Sequence, residues 1–581
     1  MKGKFLFLFV LPLLIGISTL GIFLIEGSGD SPYTSLFNSL WWTVVTFTTV
    51  GYGDMAPVTV SGRIFGILIL ATGVLINSII ISMVSNWFFS LKSGREQGLK
   101  PVKSNDQILI CSDSPVFIYS VLTENVKFVR DHKAVIITPL EKHPLAGSPY
   151  EKIPWVHGDA YRLDVLKMAS ANEAKIAYVS YKDDADTVMV VMQLEVFSPG
   201  GRIQTMARYQ IQDFYAHLCN VGCDYAIKTF DVYVPLMIQA YTAQGVPVWL
   251  REIILRLSNT ATIKSKQIGP GTEGQTWLEH ISFAKETLGE MPLGLADSTN
   301  TVTVNPPADF KLTAEHRLIT VMPHSDGPSG DFLSDAVPLI GYEATPQEGH
   351  ILVCSDEAPF ISRILDELDL ANELGQIVVL SKLTPFHDKK DQANLSWIQA
   401  KSFSDFGLTA ADASNARVAF IDHERDSHTL MAVLRLETIT DGKVFSIASY
   451  REPDFDNRLL EVGCDYCINV DELIAPILSQ NAVHPGIGKL LEEIISHQGH
   501  TQSLFVKSLS EKWQPTTWLD VVVKLKKESG YLPVGLIPKS GEGLLINPAA
   551  KVVVNQQDTL ILLASAETTF DPQWLEKPVL D

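Results

Sequence analysis

Two long apolar runs lie near the start of the chain. Residues 5–25 contain no charged side chain over 21 positions, and residues 64–91 are likewise uncharged. A helix needs about 20 predominantly apolar residues to cross the hydrocarbon core of a bilayer. The apolar stretch of a secretory signal peptide is shorter, about 7 to 15 residues. The pattern therefore predicts two membrane spans.

Basic residues flank these runs on one side only. Lys2 and Lys4 precede the first run, Lys92 and Arg95 follow the second, and residues 26–60 carry no lysine or arginine. Cytoplasmic loops carry an excess of basic residues. We therefore expect a multi-pass protein of the plasma (inner) membrane, in contact with lipid, with both termini in the cytoplasm.

The segment between the runs is apolar but too short to cross a bilayer. Residues 36–48 would form a helix of roughly 20 Å at about 1.5 Å per residue. The Gly-containing loop after it would be irregular backbone at membrane depth, which persists only when it is buried in protein or lines a water-filled path. Gly51 and Gly53 permit backbone conformations that turn successive carbonyls to one side. The pattern predicts a re-entrant loop that lines a pore.

The loop sequence "TTVGYGD", Thr48 to Asp54, resembles the selectivity filter of potassium channels. The resemblance implies that potassium ions are coordinated by backbone carbonyls of the filter and that four loops surround one axis. Since the chain contains one such loop, it implies a homotetramer. The implied filter residues are Thr49, Val50, Gly51, Tyr52 and Gly53, with Thr48 and Asp54 as support.

Two residues of the second run are candidates for the gate. Gly73 follows Tyr52 by 21 positions, where related channels often have a hinge glycine, and Asn77 lies on the same helical face at i+4. A polar side chain in an apolar span is costly unless it faces the bundle or water. We expect Asn77 to face the pore cavity, and a hydrogen bond between helices is the alternative.

The remaining 490 or so residues contain an internal repeat. "QILICSDSPVF" returns as "HILVCSDEAPF", "WVHGDA" meets "WIQAKS", "VGCDYAI" returns as "VGCDYCI", and "VNPPA" returns as "INPAA". The matched positions are offset by 241 to 243 residues. So constant an offset indicates a duplication.

Each copy alternates short apolar strands with helical stretches. In the first copy the strands are residues 108–111, 134–137, 176–179 and 203–207, and in the second 351–354, 377–380, 418–421 and 444–448. This pattern predicts parallel, doubly wound α/β sheets. Both copies resemble the RCK domain, the regulator of potassium conductance, with a Rossmann-like sheet and a small α+β C-terminal subdomain.

The predicted organisation is an α-helical pore followed by two RCK domains. The pore is residues 1–97. The first RCK domain is 98–340, with its sheet in 105–232 and its helical crossover and subdomain in 233–340. The second RCK domain is 341–581, divided into 348–470 and 471–581.

The strand-to-helix turns depart from the dinucleotide-binding pattern. Residues 111–115 and 354–359 lack the glycines of G-x-G-x-x-G and add carboxylates, and Thr138 and Ser381 stand where an acidic ribose anchor is expected. A regulatory nucleotide (NAD or an adenine nucleotide) at the first turn stays open, whereas hydride-transfer chemistry does not fit. The residues concerned are Ser112, Asp113, Ser114, Thr138 and Asp159.

A cluster of acidic residues suggests a divalent cation as a second class of regulatory ligand. Asp183, Asp184 and Asp186 follow one strand, and Asp159 is expected to end the preceding strand. In a parallel sheet these residues could converge at the carboxyl edge, and carboxylate oxygens suit calcium. A solvated acidic loop is the alternative. The counterparts in the second repeat are Asp422, Glu424 and Asp426.

Composition narrows the function classes. A net charge of −20 argues against nucleic-acid binding. Six cysteines in 581 residues do not form a disulfide framework, and the pair Cys464 and Cys467 lacks the companion ligands of a zinc site. We interpret the chain as a ligand-gated potassium channel, not an enzyme, in which four chains contribute eight RCK domains to one ring and a small cytosolic ligand acts on it. The alternatives are a membrane-anchored nucleotide-sensing regulator and a poorly selective cation channel.

Overall fold

The chain forms two compact units, Met1–Lys100 and Pro101–Asp581. The computed structural model describes residues 2–28, 31–96, 98–198, 202–255, 261–323, 348–370, 375–387, 393–452, 455–496, 502–541 and 543–565. The predicted boundary between the two RCK domains, at 340–341, lies outside these ranges and stays a prediction.

The first unit contains three helices: α1 (Lys2–Glu26), α2 (Leu36–Phe47) and α3 (Val60–Glu96). They enclose a small core of Ile22, Tyr33, Trp42, Phe47 and Ile69. Helices therefore form at both predicted spans and at the short segment between them. Within the described residues, 60–79 is long and apolar enough to cross a membrane, and Pro12–Glu26 is a shorter apolar helix. Helix α3 continues past Gly94 and ends at Glu96, before Gly98 and Pro101.

The first repeat is built around a six-stranded parallel sheet in the order β3-β2-β1-β4-β5-β6. Central strands are buried along their whole length, as apolar runs covered on both faces require. The strands are β1 (Gln107–Ser112), β2 (Ala134–Thr138), β3 (Trp155–His157), β4 (Ala174–Ser180), β5 (Gln204–Tyr209) and β6 (Tyr225–Lys228). The helices are α4 (Pro115–Glu124), α5 (Val126–Arg130), α6 (Leu163–Met168), α7 (Asp184–Phe197), α8 (Asp213–Asn220), α9 (Thr229–Thr242) and α10 (Val246–Leu255).

A small antiparallel subdomain follows this sheet. Its strands are ordered β7-β10-β8-β9. They are β7 (Ala261–Gln267), β8 (Met291–Ala296), β9 (Val302–Val304) and β10 (Arg317–Pro323), and α11 (Trp277–Phe283) leads into a π-helical turn, Ala284–Leu288.

The second repeat has the same architecture. Its parallel sheet runs β13-β12-β11-β14-β15-β16, and its subdomain contains a three-stranded sheet, β17-β21-β19, and a two-stranded sheet, β18-β20. The strands are β11 (His350–Ser355), β12 (Ile377–Ser381), β13 (Leu395–Gln399), β14 (Ala416–Asp422), β15 (Phe445–Tyr450), β16 (Tyr466–Asn469), β17 (Gln502–Ser508), β18 (Thr516–Thr517), β19 (Leu532–Ile537), β20 (Val553–Val554) and β21 (Thr559–Ser565). The helices are α12 (Ala358–Leu370), α13 (Asp405–Ala410), α14 (Asp426–Thr440), α15 (Phe455–Glu461), α16 (Val470–Val483), α17 (Ile487–Ile495) and α18 (Trp518–Ser529). The predicted fold class is confirmed.

Helices of the two repeats pack against each other. Helix α9 of the first repeat packs on α12 of the second, and α16 of the second packs on α4 of the first. The side-chain amide of Gln239 donates to the carbonyl of Ile495 at 2.9 Å, and that of Gln480 donates to the carbonyl of Ile254 at 2.7 Å. Because both donors and both acceptors are offset by 241 residues, the interface has an internal pseudo-twofold symmetry.

Candidate functional site

The pore loop is fixed to the end of helix α2. The hydroxyl of Ser35 accepts from the backbone N–H of Phe37 and caps the helix start. At the other end, the N–H groups of Val50 and Gly51 donate to the carbonyl of Val45 at 3.1 and 3.4 Å. The negative end of the helix dipole therefore lies beside the loop, where it favours a cation.

The loop backbone alternates in handedness. Thr49, Gly51 and Gly53 have φ values of 61°, 57° and 76°, whereas Val50 and Tyr52 between them do not have positive φ. This alternation turns successive carbonyls toward one side of the strand. Glycine adopts the left-handed region without steric cost, and Thr49 is the one filter position where a side chain is held there. The arrangement can present a row of carbonyl oxygens to an ion.

Two aromatic contacts hold the outer end of the loop. The indole N–H of Trp41 donates to a carboxylate oxygen of Asp54 at 2.9 Å. The rings of Trp41 and Tyr52 are stacked, with centroids 5.9 Å apart and planes 3° from parallel. Sequence reasoning proposed Asp54 as filter support but missed Trp41, whose partner lies 13 residues away. The hydroxyl of Thr48, the second proposed support residue, donates to the carbonyl of Val44 at 2.8 Å.

Gly73 and Asn77 both contact the C-terminal end of α2. A Cβ at Gly73 would lie 3.0 Å from the Cα of Phe47. The side-chain amide of Asn77 donates to the carbonyl of Phe47 at 3.4 Å. The structure therefore provides the hydrogen bond between helices that was the alternative for Asn77. The gating role of the two residues stays a prediction.

We expect Gly73→Ala to change the balance of open and closed states. The added methyl group restricts bending, raises helix propensity by about 1 kcal/mol per chain and presses on Phe47. Single-channel recording would show a changed open probability. Gly66→Ala is the matched control, because Gly66 lies in the same helix as Gly73. A Cβ at Gly66 would make an ordinary contact with Pro57, which precedes the helix, at 3.6 Å. An open probability unchanged from wild type would place the hinge elsewhere.

Glu26 is a structural residue that the sequence reasoning missed. It is 2% exposed, and one carboxylate oxygen accepts from the backbone N–H of Thr59 at 2.9 Å and from its hydroxyl at 2.6 Å. It therefore caps the positive end of α3. A Cβ at Gly62 would overlap the Glu26 carboxylate in its present position, so a side chain there would displace it. No local sequence signal connects residues this far apart.

The carboxyl edge of the first sheet collects the candidate nucleotide residues. The hydroxyl of Ser112 accepts from the N–H of Ser114 at 3.0 Å, and that of Thr138 accepts from the N–H of Leu140 at 3.4 Å. Asp113 accepts from the N–H of Lys182 at 3.1 Å. The side chains of Ser112, Thr138 and Asp113 thus already have hydrogen-bond partners within the chain.

The acidic residues at this edge also have structural partners. Asp183 caps α7 by accepting from the N–H of Ala185 at 2.9 Å. Asp184 accepts from the N–H groups of Gln210 and Ile211 at 2.7 to 3.0 Å. Burial raises the pKa of Asp184. Asp159 lies two residues beyond the end of β3 at His157, not at the end of that strand.

The carboxylates at this edge lie close enough for their negative charges to act on one another. Burial and the charges of Asp183, Asp159 and Asp113 raise the pKa of Asp186. A cavity of about 520 Å³ opens beside them, lined by Asp113, Lys182, Asp183, Asp184, Asp186, Gln210, Ile211, Phe214 and Pro359. Among the described residues, no three His, Cys, Asp or Glu side chains are arranged to hold a metal ion.

The corresponding edge of the second repeat is filled by its own side chains. Asp422 is fully buried and accepts from Arg451 at 3.0 Å and from the hydroxyl of Ser449. His423, also buried, contacts Ser402 at 2.7 Å, and burial lowers the pKa of His423 to about 4. Arg451 thus occupies the edge that stays open in the first repeat, where its counterpart is Gln210.

Family comparisons agree with this division of the chain. Residues 8–90 match the family described as "Ion channel", and residues 125–229 match the family described as "TrkA-N domain". The chain therefore contains one segment similar to ion channels and a second segment similar to TrkA-N domains. The resemblance to two-span potassium channels with RCK domains is therefore confirmed.

The chain is similar to curated potassium channels. It is 50% identical over 74 residues to human "Potassium voltage-gated channel subfamily A member 7", covering 12% of this chain and 16% of that protein. It is 26% identical over 214 residues to "Putative potassium channel protein YugO" of Bacillus subtilis, covering 36% and 64%. It is 30% identical over 145 residues to "Calcium-gated potassium channel TvoK" of Thermoplasma volcanium, covering 25% and 40%. The chain spans less than two thirds of the length of each relative.

Solved structures share the fold of the larger unit. The human SLO3 gating ring aligns over 80% of this channel and 99% of its own chain, with 11% identity and a TM-score of 0.56. A structure titled "GsuK channel bound to NAD" aligns over 97% of both chains with 15% identity, but its TM-score of 0.45 is too low to support a conclusion.

Proposed function

We propose that the chain is a potassium-selective channel that assembles as a homotetramer in the plasma (inner) membrane, with both termini in the cytoplasm. The observation that carries the proposal is the loop of Thr49 to Gly53, with its alternating backbone and its position at the end of α2. One loop per chain requires four chains around one axis. The names of the curated relatives support potassium as the permeant ion.

Purified protein in liposomes tests this proposal. Potassium flux, with a bi-ionic reversal potential that excludes sodium, is the expected result. Absence of any flux would favour a membrane-anchored nucleotide-sensing regulator. Equal sodium and potassium permeability would favour a poorly selective cation channel.

We further propose that eight RCK domains per tetramer, two from each chain, form a gating ring. Apolar side chains on the outer face of α7 support contact with another copy, since Met189, Met192 and Val196 are 42%, 38% and 69% exposed. The boundaries proposed for the two domains are 98–340 and 341–581. Cross-linking of cysteines placed on α7 would detect the contact between chains.

The regulatory ligand is proposed to bind the first repeat and not the second. The cavity beside Asp113, Asp183 and Asp186 is open, whereas Arg451 fills the matching edge of the second sheet. A nucleotide near Ser112 and Thr138, or calcium at the carboxylates, are the two candidates. The name of the Thermoplasma relative favours calcium, and the glycine-poor turn weighs against a pyrophosphate.

Calcium and nucleotide titrations separate these candidates. Isothermal titration of the full-length protein with calcium, and separately with NAD and ADP, should give binding to one class. Asp186→Asn should weaken calcium binding, whereas Ser112→Ala should weaken nucleotide binding. A ligand that binds both variants as tightly as wild type would place the site elsewhere.

Ligand binding is proposed to reach the pore through a short tether. Helix α3 ends at Glu96, and Val102 is already fixed to the first repeat, where its N–H donates to the carbonyl of Met168 at 2.7 Å. Moving a gate from about 1:99 to 99:1 takes roughly 5.5 kcal/mol of differential binding. Weak binding at four equivalent sites is sufficient for this.

We expect an insertion of about ten Gly and Ser residues after Gly98 to uncouple ligand from gate, because a flexible chain of about this length absorbs displacement. The protein should still bind the ligand, but the ligand should no longer change the open probability. An insertion of the same length after Gly541, in an exposed turn of the second subdomain, is the control. If the protein with the lengthened tether kept its full ligand response, the tether would not be the element that transmits ligand binding to the pore.

A further inference from the structure

Two buried lysines join the C-terminal subdomains of the two repeats. Lys285, in the π-helical turn of the first repeat, and Lys526, in α18 of the second, are each 1% exposed. Their positions differ by 241 residues, so they are equivalent positions of the duplication. Neither belongs to the pore or to the sheet edges described above.

Each lysine binds an asparagine of the other repeat. The Nζ of Lys285 donates to the Oδ1 of Asn547 at 2.5 Å. The Nζ of Lys526 donates to the Oδ1 of Asn305 at 2.5 Å. These asparagines belong to the repeated segments "VNPPA" and "INPAA". The repeated motif is therefore explained by a reciprocal contact across the pseudo-twofold axis.

Backbone carbonyls complete each contact. The carbonyl of Gly530 accepts from Lys526 at 3.2 Å and from the amide of Asn305 at 3.0 Å. The carbonyl of Gly289 likewise accepts from Lys285 at 3.4 Å and from the amide of Asn547 at 2.9 Å. All acceptors are neutral oxygens. Within the described residues, neither Nζ has a carboxylate at ion-pair distance.

Other charged groups on the elements packed against the lysines do not offset their charge. Glu290 is paired with Lys266 at 2.5 Å, and burial lowers the pKa of His280 to about 4, so its ring is neutral above that pH. The remaining charged residues on α11, the π-helical turn and α18 are Glu279, Glu286, Asp520, Lys524, Lys527 and Glu528.

Burial without a counter-charge makes protonation costly. Burial alone lowers the pKa of Lys285 and of Lys526 from 10.5 to about 7. A lysine in an opened subdomain regains its usual pKa and therefore takes up a proton between pH 7 and 10.5. Because that uptake becomes less favourable as pH rises, opening becomes rarer at higher pH.

We propose that the two Lys–Asn contacts form a proton-controlled lock between the C-terminal subdomains of the two repeats, which tightens as pH rises above neutrality. The lock depends only on contacts within the larger unit, so it does not rest on the proposed channel activity.

Hydrogen–deuterium exchange of the full-length protein between pH 7.5 and 9 tests the proposal, after correction for the intrinsic exchange rate. In peptides covering α18 and Trp277–Leu288, the opening equilibrium constant of the wild type should fall by up to tenfold per pH unit for each lysine exposed. The double variant K285M/K526M should lose this slope, because it has no proton to take up.

A second double variant keeps both lysines. N305D/N547D places a carboxylate at each contact, which holds the ammonium charged throughout this pH range and should also flatten the slope. Lys527→Met, on the exposed face of the same helix, should keep the slope of the wild type. The proposal is overturned if the slope survives in either double variant, or if Lys527→Met removes it.

Discussion

Replacing Gly51 by alanine is expected to abolish discrimination between potassium and sodium. Gly51 has a φ of 57°, a left-handed conformation that costs a residue with a Cβ about 1 to 2 kcal/mol. Nothing lies within 4 Å of the position where that Cβ would be. The effect therefore comes from the backbone, repeated in four chains, which turns a coordinating carbonyl away from the axis. The bi-ionic reversal potential measures it.

Gly16→Ala separates this effect from the general consequences of removing a glycine. Gly16 lies in α1 with open space around its Cβ, and its φ is not positive. The Gly16→Ala protein should keep its full selectivity for potassium over sodium. The Gly51→Ala protein should still assemble as a tetramer, because ring packing does not depend on the filter. Size-exclusion chromatography with light scattering measures this oligomeric state. A tetrameric Gly51→Ala protein with unchanged selectivity would disprove the filter assignment.

Asp471→Ala is expected to destabilise the contact between the two repeats by about 3 to 5 kcal/mol, the usual cost of leaving one partner of a buried ion pair alone. Asp471 lies in the first turn of α16 and forms an ion pair with Arg208 of the first repeat, and the side chains of Asp471 and Arg208 are 7% and 10% exposed. Its second oxygen accepts from the hydroxyl of Ser114 at 2.7 Å. Urea unfolding of the full-length protein, followed by tryptophan fluorescence, measures the loss.

Two further variants identify the cause. Asp369→Ala removes an exposed carboxylate from α12 and should change the free energy of unfolding by less than about 0.5 kcal/mol. The double variant R208M/D471L removes both charges and should recover most of the loss, since apolar replacement of a buried pair is often neutral. An Asp471→Ala protein as stable as Asp369→Ala would show that the pair contributes nothing to the contact.

Four strands of the first sheet, β1, β2, β4 and β5, are buried over most of their length, and each was predicted within two residues of its ends. Strands β3 and β6 have three and four residues and are partly exposed. They carry no apolar run, although the repeat comparison matched the segments that contain them.

Neighbouring residues indicated part of the loop conformation. Glycine at alternate positions permits left-handed backbone, and the loop adopts it at Gly51 and Gly53. The assignment of the loop as a filter rests on the resemblance and stays a prediction. Trp41, Glu26 and the Lys–Asn contacts could not be predicted, because each depends on a partner that only folding brings close. The duplication indicated that Asn305 and Asn547 are equivalent, but not that each contacts the other repeat.

The packing of helices of one repeat on helices of the other affects how the chain folds during synthesis. The carbonyl of Ile254 receives its hydrogen bond from Gln480, and Arg208 receives its counter-charge from Asp471. At about 5 to 20 residues per second, the ribosome needs roughly 12 to 50 seconds to make the 226 to 263 residues between these partners. During that interval the nascent first repeat exposes to solvent the apolar helix faces and the arginine that the second repeat later covers. We therefore expect the growing chain to depend on chaperones until α16 leaves the ribosomal tunnel.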